Sequence, residues 1–395
     1  SEMCIRDSFM DMMYYDYYRD DFDISECQHP LQPNYNYMMK RLKEYNISEA
    51  EVKLLYSSGY YCLENIDMIV DRFYFGSQLI YDGVSGFHFS EISRLLSEPR
   101  SRVWVKHAGS LSEVLSIIEK YPKRHGTLFR GQIDNYLINR EINNPFFTIP
   151  GLGEVSLLPS LWRIVKENLP STYISYIPMK LLEWSLIFSQ QFDWQNIREQ
   201  IERIKKTEGH YPSLTELEEC DDESLKEYGK MAVDLMYGHN TYYADTLPTL
   251  LQHYGLYTPL LDLTEDLNVA LFFSTHKFNS RNTSYEFIGN NSGKSVLYLI
   301  EYDPDNMKKF EDRENLIQTF KPLRPILQKC VICKSDPFCI NLPAMFLKGI
   351  IYLDFKISEN ISGIKPEDIF PNETKDLFLS YISRDSLIGK HVTRF

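Results

Sequence analysis

Apolar and polar positions alternate along this chain in two different rhythms. Between residues 35 and 96 the apolar positions recur at helical spacing. Asn36 to Tyr45 reads as one helix. Ser48-x-x-Glu51 has the form of a capping box and opens a second. Asn65 to Tyr74 reads as a third and Glu91 to Leu96 as a short fourth. The rhythm changes at Pro99. Val103-Trp104-Val105 has the β-rich character of a strand. Ser110-x-x-Glu113 opens a helix carrying Leu111, Val114, Leu115 and Ile118, which Gly126 closes. Thr127 to Gly131 then reads as a strand ending in a turn.

Further along, a loop rich in Asn, Pro and Gly runs from Asn139 to Gly153. Long helical stretches follow at Met179 to Lys206 and at Tyr228 to Tyr237. Gln252 to Leu256 sits at a helix end, with Gly255 as the residue after the cap. Pro259 to Thr264 reads as a loop. The helix predicted after it, Glu265 to His276, is apolar on most sides, as buried helices are. Strands are expected at Ser295 to Tyr302, Cys330 to Cys333, Phe338 to Asn341 and Gly349 to Phe355, and a last helix at Asp376 to Ile382. The fold class is α+β, a helical N-terminal region followed by a mixed body. The expected divisions are a Tyr- and Met-rich acidic tail over 1–34, a helical accessory region over 35–98, the body over 99–360, and a C-terminal helix and tail over 361–395.

Composition narrows the function classes. The chain has 395 residues, 43% of them hydrophobic and 25% charged, enough for a sizeable core in more than one structural unit. No apolar run approaches the roughly 20 residues that span a membrane, and no basic-then-apolar leader opens the sequence. A cytoplasmic protein with no membrane partner is expected. The net charge of −13 opposes nonspecific attraction to nucleic acid. Residues 1–30 hold eight acidic and two basic side chains, and Glu216 to Glu227 forms a second acidic block. Both read as solvated surface. Seven scattered cysteines suit reduced thiols rather than a disulfide framework. Cys330-x2-Cys333-x5-Cys339 lacks the second close pair of a structural zinc site, so no metal is expected.

A few residues stand out chemically. Arg130, between a strand and a glycine, suits bidentate binding of a phosphate or carboxylate, or a structural ion pair. Gly131 would admit a ligand close to the backbone, and Gln132 adds an amide. His253 has the titration of a general acid or base, and serves equally well as a hydrogen-bonding partner in a core. Tyr254 could stack on a ring or pack inside. Asp262 would orient His253 or Arg130. Thr264 reads as the N-cap of the next helix. Ser274, with Thr275 and His276, ends that helix where hydroxyls can line a cleft. No phosphate loop, dinucleotide glycine fingerprint or nucleophile elbow is present.

Five segments in order resemble the bacterial FRG domain: Phe129-Arg130-Gly131-Gln132, Leu158-Pro159-Ser160-Leu161-Trp162-Arg163, Gln252-His253-Tyr254-Gly255-Leu256, Leu260-Leu261-Asp262-Leu263-Thr264 and Ala270-Leu271-Phe272-Phe273. The resemblance covers roughly Val103 to Phe355. It departs from the family at Pro259, where an Arg is usual, and at Cys330, where a Gly is usual. Members of the family look like parts of bacterial conflict systems, including toxins and phage defence. The aromatic-Arg-Gly strand is also similar to the first strand of ADP-ribosyltransferases.

That likeness implies NAD as a substrate, held by Arg130, Gly131 and Gln132 with Tyr254, Thr264 and Ser274 beside it. His253, Asp262 and Glu301 are then the catalytic candidates. The acceptor, protein or nucleic acid, is left open, and an oligomer is compatible with the sequence. The competing expectation is a non-catalytic module that binds a nucleotide or phage component and signals through the helical N-terminal region. A hydrolase acting on nucleic acid or a nucleotide is a third.

Overall fold

The structure is a computed structural model. It describes residues 28–30, 34–63, 68–71, 79–81, 87–97, 102–121, 126–159, 193–236, 250, 252–255, 260–279, 284–310, 321–334 and 341–384. The acidic N-terminal tail before residue 28, the Ser160 to Arg163 part of one motif, the segment 256–259 with Pro259, and Phe338 to Cys339 lie outside these residues.

A seven-stranded sheet organises the described residues. Its order is Met307–Lys309, Cys330–Lys334, Leu260–Thr264, Thr127–Gln132, Val296–Glu301, Leu347–Leu353 and Trp104–Ala108. All pairs are antiparallel except the last, where Leu347–Leu353 runs parallel to Trp104–Ala108. The interior strand Val-Leu-Tyr-Leu-Ile-Glu, Val296–Glu301, is buried on both faces, which is why it reads as a continuous apolar run. Its alternate residues serve two cores. Val296, Tyr298 and Ile300 join Leu128 and Ile350 on one face, while Leu297 and Leu299 join Phe129, Ile351 and Leu353 on the other.

The chain before residue 98 packs on the first of these faces. Met38, Leu42, Val52, Leu55, Ile69, Phe89 and Ile92 share one core cluster with Leu128, Tyr298 and Ile350. The helices Tyr35–Glu44 and Phe89–Ser97 lie where the apolar spacing places them. Glu49–Ser57 starts at a complete capping box, Ser48 and Glu51 each bonding the other's backbone N–H. Of the expected third helix, Asn65 to Tyr74, the described part is instead the strand Met68–Asp71, paired with Tyr60–Leu63. Ile69 and Val70 are β-branched, and four residues of ladder outweigh a weak helical pattern. The expected loop from Asn139 to Gly153 holds the short strand Thr148–Ile149 and is flanked by Leu137–Ile138 and Gly153–Val155, the three forming a small sheet of their own.

The second face of the large sheet is covered by the Leu111–Lys120 and Leu267–Thr275 helices. Leu267–Thr275 buries Val269, Ala270, Leu271, Phe272, Ser274 and Thr275, as its all-round apolar pattern requires. Pro259 to Thr264 is corrected from loop to strand over Leu260–Thr264, because Leu260, Leu261 and Leu263 are all buried there. The N-cap assigned to Thr264 belongs to Asp266, whose carboxylate accepts from the Asn268 N–H.

Candidate functional site

The strands carrying Arg130 and Asp262 are neighbours, yet they share one ladder pair, Thr264 with Phe129. Beyond it no further ladder pair joins the two strands among the described residues, which leaves an opening in the ladder. Arg130 reaches across it and donates from Nη1 to the main-chain oxygen of Asp262 at 2.6 Å. The bond satisfies a carbonyl that a continuous ladder would have satisfied. Gln132, two residues on, faces the same side as Arg130. Its Oε1 is buried without a hydrogen-bond partner among the described residues.

The Asp262 carboxylate collects three further side chains. Gln252 donates from Nε2 to Oδ2 at 2.5 Å. His253 Nε2 stands 3.6 Å from Oδ1, and Cys330 Sγ stands 4.0 Å from the same oxygen. Arg130 and His253 thus meet at Asp262, Arg130 at its main-chain oxygen and His253 beside its carboxylate. At 3.6 Å the His253–Asp262 pair is outside hydrogen-bond reach. Burial pushes the His253 pKa down, and the Arg324 charge adds to this, while Asp262 and a hydrogen bond with Gln328 oppose it. The imidazole is therefore neutral at pH 7. Burial, aided by the Asp262 charge, drives the Cys330 thiol well above its ordinary range.

Arg324 supports this cluster from behind. It is fully buried, donates from Nη1 to the His253 carbonyl at 3.3 Å, and lies with its guanidinium 4.7 Å over the Tyr254 ring. Burial pushes its pKa down to about 10, so the cation persists at neutral pH. Gly255 follows at φ 99°, the left-handed turn expected after the helix end at His253.

Several other candidates are placed elsewhere. The Tyr254 ring is fully buried, with Phe378 edge-on to it, and its hydroxyl donates to Asp376 at 2.5 Å. No face is offered to a ligand ring. Gly131 faces the Leu267–Thr275 helix rather than a ligand: a Cβ there would stand 1.7 Å from the Ala270 carbonyl oxygen. Ser274 is buried and donates to the Leu271 carbonyl within its own helix. Thr264 is buried too, donating to the Gln328 carbonyl. Glu301 pairs in register with Thr127, three residues from the Tyr298–Arg130 pair, about 10 Å along the strand. It forms an ion pair with Lys348 at 2.7 Å. It does not join the Arg130 cluster.

Sequence reasoning did not assign Gln252, Arg324, Gln328 or Cys330 to the site. Gln252 carried a signal as the neighbour of His253 within one motif. Cys330 carried one as a departure from the family pattern. Arg324 and Gln328 come from a segment whose proximity only the folded topology provides.

The family model of the FRG domain matches residues 189–283. The segment includes Gln252, His253, Asp262 and the Leu267–Thr275 helix, while Arg130 and Cys330 lie outside it. Residues 189–283 are thus similar to the FRG domain, and strands from both sides of the matched segment join the strand Leu260–Thr264 in one sheet. No curated protein matches the chain, and no solved structure does. No helix among the described residues is long and apolar enough to cross a membrane.

Proposed function

We propose that the opening between the Arg130 and Asp262 strands of this FRG-domain chain binds an anionic nucleotide. The activity we assign to it is that of an NAD-dependent, ADP-ribosyltransferase-like enzyme in a bacterial defence or toxin system. The convergence of Arg130, His253 and Asp262 supports this reading. Arg130 supplies a cation for the pyrophosphate, in the planar form that grips phosphate oxygens. Breaking the bond between ribose and nicotinamide develops positive charge on the ribose. A fixed carboxylate stabilises that charge without reorganising. Asp262, whose main-chain oxygen accepts from Arg130, is the candidate carboxylate, about a third exposed and held by Gln252. Glu301 is left out on geometry. Nicotinamide leaves with the bonding electrons, and the ADP-ribose passes to a macromolecular acceptor, protein or nucleic acid.

The second reading, a non-catalytic binding module, is favoured by one observation. The residues before 98 share a core with the face of the sheet that carries Arg130 and Tyr298. A ligand at the opening would be felt directly by that N-terminal region. The deciding experiment incubates the protein with NAD labelled in the adenylate and in the nicotinamide, with cell lysate as acceptor source. Nicotinamide release or label transfer, abolished by Arg130→Ala and by Asp262→Asn, supports the enzyme. NAD recovered unchanged but shifting the melting temperature supports the module. Folded protein that neither binds nor consumes NAD rejects both forms of the proposal.

A further inference from the structure

One feature of the cluster is not used by nucleotide binding. His253 Nε2, an Asp262 carboxylate oxygen and Cys330 Sγ all lie within 4.8 Å of one another. They come from three separate segments: the helix end at 252–253, the Leu260–Thr264 strand and the Cys330–Lys334 strand. Imidazole, carboxylate and thiol are the donor set that zinc-class ions prefer.

The atoms are also arranged as ligands. His253 Nε2 is buried and has no hydrogen-bond partner among the described residues, with the side chain 3% exposed. A buried nitrogen lone pair of this kind is costly unless something fills it. The Asp262 side chain is divided in labour. Gln252 holds Oδ2, and Oδ1 faces His253 and Cys330. Gln328 hydrogen-bonds the His253 side chain and Arg324 fixes its carbonyl, so the ring is oriented by its surroundings as metal-bound histidines are. Around a tetrahedral zinc ion the nitrogen–oxygen edge is about 3.4 Å and the sulfur–oxygen edge about 3.6 Å, from ordinary bond lengths. The corresponding distances here are 3.6 and 4.0 Å. These two edges need contract by only a few tenths of an ångström, and the nitrogen–sulfur edge lies within 4.8 Å.

We propose that His253, Asp262 and Cys330 form a three-ligand site for a single zinc-class divalent ion, with the fourth position open. The charge balances. A dication, a thiolate and a carboxylate sum to zero, so the ion is not repelled by Arg324. Loading releases one proton: the Cys330 S–H bond breaks, its electron pair goes to the metal and the proton goes to solvent. The fourth position takes water or an anionic oxygen. Cys333 is excluded, because it belongs to the core on the opposite face with Leu261 and Leu263. This site stands whether or not the chain consumes NAD.

Cobalt(II) is the test ion, since thiolate ligation gives it a near-ultraviolet charge-transfer band and tetrahedral geometry gives it strong visible bands. Chelator-treated full-length protein is titrated with cobalt(II) alone, without nucleotide. The expected result is saturation of both signals at one equivalent, with one proton released, and bleaching by zinc. Cys330→Ala, which nearly conserves volume, should lose the charge-transfer band. Asp262→Asn should weaken binding at least tenfold. His210→Ala should leave the signal intact, although Glu208, His210 and Glu216 form a second, exposed group of metal-capable side chains. Circular dichroism verifies that each variant is folded. The proposal is overturned by a folded wild type that shows no thiolate band, or by a band that survives in folded Cys330→Ala.

Discussion

Arg130 Nη1 donates to the main-chain oxygen of Asp262 at 2.6 Å, across the point where their two strands part. A side chain thus takes the place of a ladder bond. Arg130→Ala should cost about 1–3 kcal/mol of stability, because it leaves a part-buried carbonyl without its donor. Arg130→Lys keeps a charge but loses the planar fork. It should recover part of the stability and little of any nucleotide affinity. Urea midpoints and NAD titrations on the two variants separate these effects. Equal recovery of both by Lys would contradict a role for the guanidinium plane.

Gly131 makes a different prediction. Its Cβ position is occupied by backbone, with the Ala270 oxygen at 1.7 Å and the Ser274 nitrogen at 2.8 Å. Neither atom can rotate away, so Gly131→Ala must push the Leu267–Thr275 helix off the sheet. Gly349 is also close-packed, but against the Trp104 side chain, 2.1 Å from the added atom. That indole, stacked on Tyr121, can shift as a unit. Gly131→Ala should be the worse substitution, reaching or exceeding the ~3 kcal/mol upper end of overpacking costs. Comparing denaturation midpoints of the two variants tests the ranking. In the fold, then, Gly131 is explained by helix docking rather than by a ligand.

The Gly131 case shows what the sequence carries and what it does not. Alternation and capping signals are local, so Val296–Glu301, the Ser48 box and the Leu267–Thr275 helix were legible from spacing. The Leu260–Thr264 strand was not, because a continuous apolar run beside a proline reads equally well as a loop. Its pairing with Cys330–Lys334 depends on residues 66 to 74 positions away. The same distance hid Arg324 behind His253. Arg130, His253 and Asp262 were legible as a set only through the order of their motifs. Tyr254 and Glu301 were misplaced because neither burial nor the end of a strand is marked in local sequence.

Tyr254 and Asp376 join the FRG segment to the C-terminal helix. Asp376 is fully buried, accepting from the Tyr254 hydroxyl on Oδ2 and from the Leu379 N–H on Oδ1. Tyr254→Phe removes one bond and leaves the carboxylate other donors, so about 1–2 kcal/mol should be lost. Asp376→Ala removes the acceptor for several buried donors and should cost more. Thermal melts of both variants check the order. If Tyr254→Phe were the more damaging, the hydroxyl would have a function beyond anchoring this carboxylate.

The last prediction concerns pH. Burial holds the folded His253 pKa below its ordinary value of 6.5, with Arg324 acting in the same direction and Asp262 and Gln328 against it. Burial depresses His276 as well, against the pull of the Phe272 carbonyl and Glu359. The unfolded chain therefore takes up protons near pH 6.5 that the folded chain refuses. The stability these histidines contribute is complete above that pH. It is lost as pH falls through the folded pKa values. Asp266 and Glu51, whose pKa values are lowered from 3.8 and 4.5, act in a separate, more acidic window. The urea midpoint should thus fall between pH 7.5 and 5.5, before carboxylate protonation contributes. His253→Gln should shrink that fall while His276→Gln removes a further part. A pH dependence unchanged in both variants would show that these two imidazoles are not what resists the proton.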